Sequence, residues 1–210
     1  TVSAANRKRG VSMENHIRKN RRIIVGISGA SGVILGYEML KALREQDSTE
    51  IHLIVTEGAK RSLSLESKMT VDSLFSLADA VYHETEMEAP VASGSFHTDG
   101  MIVIPCSMKT LSAIATGYDS NLLVRAAGVC LKENRRIVLV PRETPLSRVH
   151  LRNMEAAASD GCIIIPPMLT FYNNAGTLQK QMEHIIGKIL PHFGMQSQRF
   201  VPWTGKPNIM

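Results

Sequence analysis

The chain has 210 residues, and none of its apolar runs nears the roughly 20 residues of a membrane-spanning helix, so its length is that of one domain with a sizeable buried core. Its net charge of +5 is confined to residues 1–22, which hold seven basic side chains and one acid, while residues 23–210 hold 17 basic and 18 acidic groups. A near-neutral globular part argues against a nucleic-acid partner. Residues 1–21 are expected to form a basic, disordered tail without the apolar segment of a secretory signal. Met13 is a natural start, so residues 1–12 read as a leader or an expression remnant. Three cysteines, Cys106, Cys130 and Cys162, with no C-x-x-C spacing, fit buried thiols in a reducing compartment, hence the cytoplasm. The seven histidines are scattered with no ligand-pair spacing, so no metal site is expected.

Ile23-Ile24-Val25 opens the first buried strand, and Gly26-Ile27-Ser28-Gly29-Ala30-Ser31-Gly32 leads at once into a helix from Val33 to about Glu45. Strand, small-residue turn, helix is how an α/β protein cradles a phosphate on backbone N–H groups. Glycines at 26, 29 and 32 match neither the dinucleotide fingerprint nor the P-loop, and a tight turn that needs small residues only for packing is the plainer alternative. Ile51–Val55 is the second strand, ending at Thr56. A helix follows from Gly58 through Leu65 and Glu66, and Thr70 caps a short one to about Ala78. Val81-Tyr82-His83 reads as a short strand and Glu84, Glu86 and Glu88 as an exposed acidic connection. Met101–Ile104 is a strand ending at Pro105-Cys106-Ser107; Lys109–Gly117 is a helix, and Ser120 caps another that runs through Leu131. Ile137–Val140 ends at Pro141-Arg142-Glu143. Ser147–Asp160 is helical and stops at Gly161, Cys162–Ile165 is a strand stopped by Pro166-Pro167, and Thr177–Leu190 is the last helix.

Continuous apolar strands alternating with helices imply a doubly wound, mostly parallel sheet with helices on both faces, in one domain over residues 22–192 and with a C-terminal tail over 193–210. Ligands of such sheets bind beyond the carboxyl ends of the strands, and those ends carry Ser28, Ser31, Thr56, Ser107, Lys109, Thr110, Arg142 and Glu143. Ser107 is either a ligand donor or an ordinary helix cap. Arg125, on a mostly apolar helix, is either paired or a ligand contact. Arg142 and Glu143 are either an ion pair or an anion site with a proton-transfer carboxylate. Arg135 and Arg136 read as cations favoured at a helix C-terminus. Cys106 reads as a packed thiol, and Trp203 either closes a pocket or anchors the tail.

From Arg22 to Trp203 the chain resembles the UbiX/Pad-type flavin prenyltransferases, older descriptions of which speak of aromatic acid decarboxylase subunits. The matching pieces are Gly26–Gly32, Leu65-Glu66, Ser93-Gly-Ser-Phe96, Met101–Thr110, Arg125-Ala-Ala127, Leu131-Lys-Glu133, Pro141–Pro145, His150-Leu151, Pro166-Pro167 and Phe171-Tyr172. The resemblance implies a flavodoxin-like fold and a metal-independent transfer of a dimethylallyl group from dimethylallyl phosphate to N5 and C6 of reduced FMN. It also implies a homododecamer and a UbiD-type decarboxylase that receives the prenylated FMN. By resemblance Gly29, Ala30, Ser31, Thr56, Ser107, Met108, Lys109, Thr110 and Arg125 hold FMN, and Lys132, Arg142, Tyr172, Lys188 and Trp203 hold the prenyl phosphate. Ser31, Glu66, Glu143 and Lys132 take the catalytic roles. Two positions depart from the family pattern: Lys188 stands where many relatives have Arg, and Gly128 where many have Asp, which removes a carboxylate beside Arg125. Two other readings are a non-catalytic FMN-binding subunit and a flavin-dependent cysteine decarboxylase; the segment Pro166–Phe171 lacks the Asn and Trp of the latter's substrate motif.

Overall fold

The computed structural model describes residues 21–206, so the basic tail expected over residues 1–21 lies outside the described residues except for Arg21. The strands are β1 (Arg21–Ile27), β2 (Thr49–Val55), β3 (Ala80–His83), β4 (Gly100–Cys106), β5 (Arg136–Pro141) and β6 (Cys162–Ile164). The helices are α1 (Val33–Arg44), α2 (Glu57–Glu66), α3 (Val71–Phe75), α4 (Met108–Thr116), α5 (Leu122–Lys132), α6 (Arg148–Ser159) and α7 (Leu178–Ile189). All strand pairs are parallel, in the order β3-β2-β1-β4-β5-β6.

The sheet is buried on both faces, which is why its strands read as unbroken apolar runs. Within β1, Ile23, Val25 and Ile27 enter the core under α1 and α7, whereas Ile24 enters the core under α4 and α5. Arg21 belongs to β1 rather than to a tail: its N–H donates to the Ser48 carbonyl at 2.7 Å. Arg22 pairs with Glu50 at 2.9 Å and lies 4.4 Å from the Phe96 ring centroid.

One expected helix start shifts, and one short helix ends early. Asn121, not Ser120, caps α5 through its Oδ1, and α3 ends at Phe75 after a Thr70 whose side chain takes no backbone N–H. Ser147 and Thr177 do cap α6 and α7, and Gly161 adopts φ 104° just past α6. The three thiols are buried. Burial pushes Cys130 and Cys162 up to about 11 and Cys106 further, so Cys106 is a packed thiol and no nucleophile.

Acid should loosen this fold. His52 is wedged between Tyr82 Oη at 2.9 Å and Glu50 Oε1 at 2.8 Å, and burial lowers its proton affinity even against the Glu50 carboxylate. Burial does the same at His184, helped by Lys188, and at His192, helped by Arg136. The unfolded chain then takes these protons first, so stability is full above the ordinary histidine value of 6.5 and falls as pH drops below it. Thermal unfolding between pH 8 and 5 should show that decline, and a His52→Asn variant, less stable throughout, should show a shallower one.

Candidate active site

The hydrogen-bond ladder of the sheet continues past the strand ends. Thr56 N donates to the Ile27 carbonyl at 3.0 Å, Ser28 N to Pro105 at 3.2 Å and Arg142 N to Cys106 at 3.1 Å. Gly29, Thr56, Ser107 and Arg142 therefore share one edge, at the point where the strand order reverses between β1 and β4. Ser28 is buried and staples that edge: its Oγ donates to the Pro105 carbonyl at 3.0 Å and accepts from Ser107 N at 2.8 Å.

A cavity of about 430 Å³ opens there, lined by Gly29, Thr56, Ser107, Lys109 and Thr110 together with Glu57, Gly58, Arg61, Glu84 and Asn121. The N-termini of α2 and α4 both face it. Thr56 Oγ1 accepts from Ala59 N at 3.2 Å, and Ser107 Oγ accepts from Thr110 N at 3.2 Å while donating to Thr110 Oγ1 at 3.1 Å. These hydroxyls act as caps, which leaves the remaining first-turn N–H groups, Lys109 and Arg61 to meet an anion. Met108 contributes no side chain, because it is buried in the core beneath α4; only its backbone is at the edge.

Arg61 was not among the expected contacts; positions 57, 58 and 61 of α2 share the face turned to the cavity. Glu84 was expected in an exposed connection. Its carboxylate instead accepts from Glu57 N at 2.7 Å and Asn121 Nδ2 at 2.8 Å, and its carbonyl accepts from Leu122 N at 2.8 Å, which ties α2 to α5.

The cradle is closed by backbone meeting backbone. A Cβ on Gly29 would lie 2.9 Å from Gly58 Cα and C, atoms that cannot rotate away. If this cradle takes the FMN that the resemblance implies, Gly29→Ala should weaken FMN binding by about tenfold or more, the equivalent of some 1.4 kcal/mol, in a flavin fluorescence titration. Ala30 is buried, Ser31 is exposed at the apex, and Glu66 Oε2 accepts from Gly32 N at 2.8 Å, so Glu66 holds the turn that presents Ser31.

Arg125 is paired despite Gly128. Its Nη1 meets Asp119 Oδ2 at 2.9 Å and its Nε donates to the Ala92 carbonyl at 3.2 Å. Asp119 Oδ1 lies 3.3 Å from where a Cβ at position 128 would stand, so Asp119 supplies a carboxylate beside Gly128. Arg125 does not line the cavity itself; Asn121, the cap of its helix, does.

Along the same edge Arg142 and Glu143 stand at the mouth of a second cavity, of about 280 Å³, walled by Leu146, Met154, Pro166, Pro167 and Met168. Glu143 Oε1 accepts from Thr144 N at 3.0 Å, and Arg142 and Glu143 form no ion pair with each other or with any other described residue. An apolar pocket with a cation and a carboxylate at its mouth suits a short apolar chain carrying an anion.

The remaining expected contacts are elsewhere in the chain. Trp203, 51% exposed, packs edge-on to Tyr172 at 5.1 Å, and Lys188 Nζ lies 5.5 Å from the Phe200 ring centroid; none of these lines the Arg142 cavity. Trp203 thus anchors the tail on its own chain. Lys132 pairs with Glu133 beside Gly94 at the end of α5. That is the opposite edge of the sheet from Arg142, the six-residue β5 separating them by roughly 17 Å. Arg135 lies at that far edge too, donating to the carbonyls of Gly94 and Phe96 at 2.5 and 2.9 Å. Among the described residues no group of three or more His, Cys, Asp and Glu side chains is placed to hold a metal ion, and no helix is long and apolar enough to cross a membrane.

Residues 11–192 match the family described as Flavoprotein. A "Probable UbiX-like flavin prenyltransferase" of Sedimentibacter hydroxybenzoicus is 59% identical over 184 residues, 88% of this chain and 97% of that protein. The crystal structure of AnUbiX (PadA1) in complex with FMN and dimethylallyl pyrophosphate superposes with TM-score 0.86 at 44% identity, covering 89% of this chain and 98% of the other. A dodecameric FMN-dependent UbiX-like decarboxylase from Escherichia coli O157:H7 does so with TM-score 0.86 at 44% identity, covering 88% and 100%.

Proposed function

The chain belongs to the UbiX-like flavin prenyltransferases of the flavoprotein family, and from that premise we propose how its residues divide the work. The enzyme transfers the dimethylallyl group of dimethylallyl phosphate to N5 and C6 of reduced FMN, releasing phosphate. The observation that carries the assignment is the pair of cavities along one edge of the sheet: one lined by helix N-termini and Lys109, the other apolar with Arg142 and Glu143 at its mouth. FMN fits the first, because its phosphate matches the Gly29–Gly58 cradle and the free N–H groups of α2 and α4. The five-carbon chain fits the second.

The chemical difficulty is the leaving group. Charge builds on the phosphate as the allylic C–O bond stretches, and fixed cations lower that barrier most when they are already in place. Arg142 is one such cation. Lys132 and Lys188 belong to the same task, and the neutral Tyr172 to holding the phosphate, only if they come from neighbouring copies, since none of them lines the Arg142 cavity of its own chain. The protein is a homo-oligomer, and we assign it the dodecameric arrangement of its E. coli neighbour, with sites shared between subunits. Ser31 and Glu143 take the proton that N5 loses on alkylation, deliver one to the prenyl double bond, and take the one that C6 loses on ring closure. The product serves a UbiD-type decarboxylase in the cytoplasm, where the buried thiols stay reduced.

Anaerobic incubation with reduced FMN and dimethylallyl phosphate should add the mass of a five-carbon unit to the flavin. Bound FMN with no mass gain would instead make the protein an FMN-binding subunit.

A further inference from the structure

His184 has no part in the site as assigned so far, yet its surroundings are specific. It is only 5% exposed, on the face of α7 that meets Tyr172. Its Nε2 lies 3.5 Å from Tyr172 Oη, and the two rings meet edge to face at 5.7 Å. Its Nδ1 is buried with no hydrogen-bond partner among the described residues. On its other side lies Phe200, at 5.1 Å, and Phe200 fills the space above Gly187, where any Cβ would stand 2.4 Å from the phenyl ring. The tail therefore clamps the imidazole against Tyr172.

The orphan nitrogen decides the tautomer. A neutral imidazole carries one N–H and one lone pair. Burial and the nearby Lys188 keep His184 neutral. Placing the hydrogen on Nδ1 would bury an unpaired donor, which costs more than an unpaired lone pair. The hydrogen belongs on Nε2, which then donates to Tyr172 Oη. With an oxygen lone pair of Tyr172 so engaged, its own O–H points away from His184 and is free to donate.

We propose that His184 is a positioning residue that holds the Tyr172 hydroxyl as a donor to the phosphate of the prenyl substrate. This rests on the assignment of Tyr172 to that phosphate. Its role differs from that of the cations: it supplies no charge, and acts only by orienting another side chain.

The test is a set of initial-rate measurements with saturating reduced FMN and varied dimethylallyl phosphate. Tyr172→Phe should raise KM about tenfold and His184→Phe about three- to tenfold, with kcat little changed, as expected for one hydrogen bond to a charged group and for its orienting partner. His184→Gln, whose amide nitrogen sits close to the Nε2 position, should stay within about twofold of the parent enzyme. In the Tyr172→Phe background, His184→Phe should add almost nothing, because its effect passes through the missing hydroxyl. If Tyr172→Phe raises KM and His184→Phe does not, or if the two effects multiply, this inference falls while the Tyr172 assignment stands. An unchanged KM in Tyr172→Phe overturns both. Should His184→Phe fail to assemble, His184→Asn, which lacks a donor at the Nε2 position, replaces it with the same expected KM.

Discussion

Glu143→Gln enzyme binds FMN as tightly as the parent protein and forms prenylated flavin more slowly by a factor of about 10² to 10⁴, the range expected when a positioned proton-transfer group is removed. The physical basis is the state of the carboxylate. It accepts one backbone N–H, from Thr144, and joins no ion pair among the described residues, so it is held in place and left open to a proton at the mouth of the apolar cavity. Glutamine keeps the shape and the Thr144 contact and loses only the basicity. Ser31→Ala should show a loss of similar order with a modest weakening of FMN binding, since Ser31 sits exposed at the apex of the turn proposed to hold the flavin. Single-turnover reactions under anaerobic conditions, followed by the mass of the flavin, read both effects. Wild-type rates in the two variants would remove the proton-transfer role and leave the Arg142 cavity as a binding site alone.

Lys132→Ala and Arg142→Ala each lower the rate by about 10² to 10³, the cost of removing one preorganised group that stabilises developing charge. When the two inactive variants are assembled together, activity returns. The reason is geometric: Lys132 and Arg142 lie on opposite edges of one sheet, so a Lys132 that serves the proposed Arg142 site must come from another chain. A subunit carrying Lys132→Ala keeps Arg142 and is completed by the intact Lys132 of an Arg142→Ala neighbour. Random mixing in equal amounts leaves about a quarter of the sites intact at both positions. Co-expression of the two variants with different tags, purification of the mixed oligomer and the flavin mass assay measure the recovery. Mixed oligomers as inactive as their parents would place Lys132 outside the site.

The candidate site was legible where its residues follow strands directly. Gly29, Thr56, Ser107, Lys109 and Thr110 were readable because a parallel sheet collects its strand ends on one edge, and hydroxyl and cationic residues immediately after apolar runs stand out against the core. Arg61 was not legible, since a cation on a solvated helix face looks the same whether or not a cavity faces it. Glu84 was misread for a similar reason: a run of alternating glutamates looks like a solvated connection until the termini of α2 and α5 are brought to it. Met108 shows the reverse case, a residue inside a matching motif whose side chain turns into the core.

By itself the amino-acid sequence determined the parallel α/β fold, the edge on which the candidate site lies and the family. Apolar periodicity and turn chemistry are local, and burial on both faces of a sheet leaves a continuous apolar signature in each strand. Only the tertiary structure decided which polar groups meet. It gave Arg125 its carboxylate from Asp119 in the segment that leads into α5, left Arg142 and Glu143 without an ion pair among the described residues, set His184 against Tyr172 and put Lys132 on the far edge of the sheet. Contacts between residues distant in sequence depend on how helices are laid against the sheet, and no pattern within a single segment encodes that arrangement.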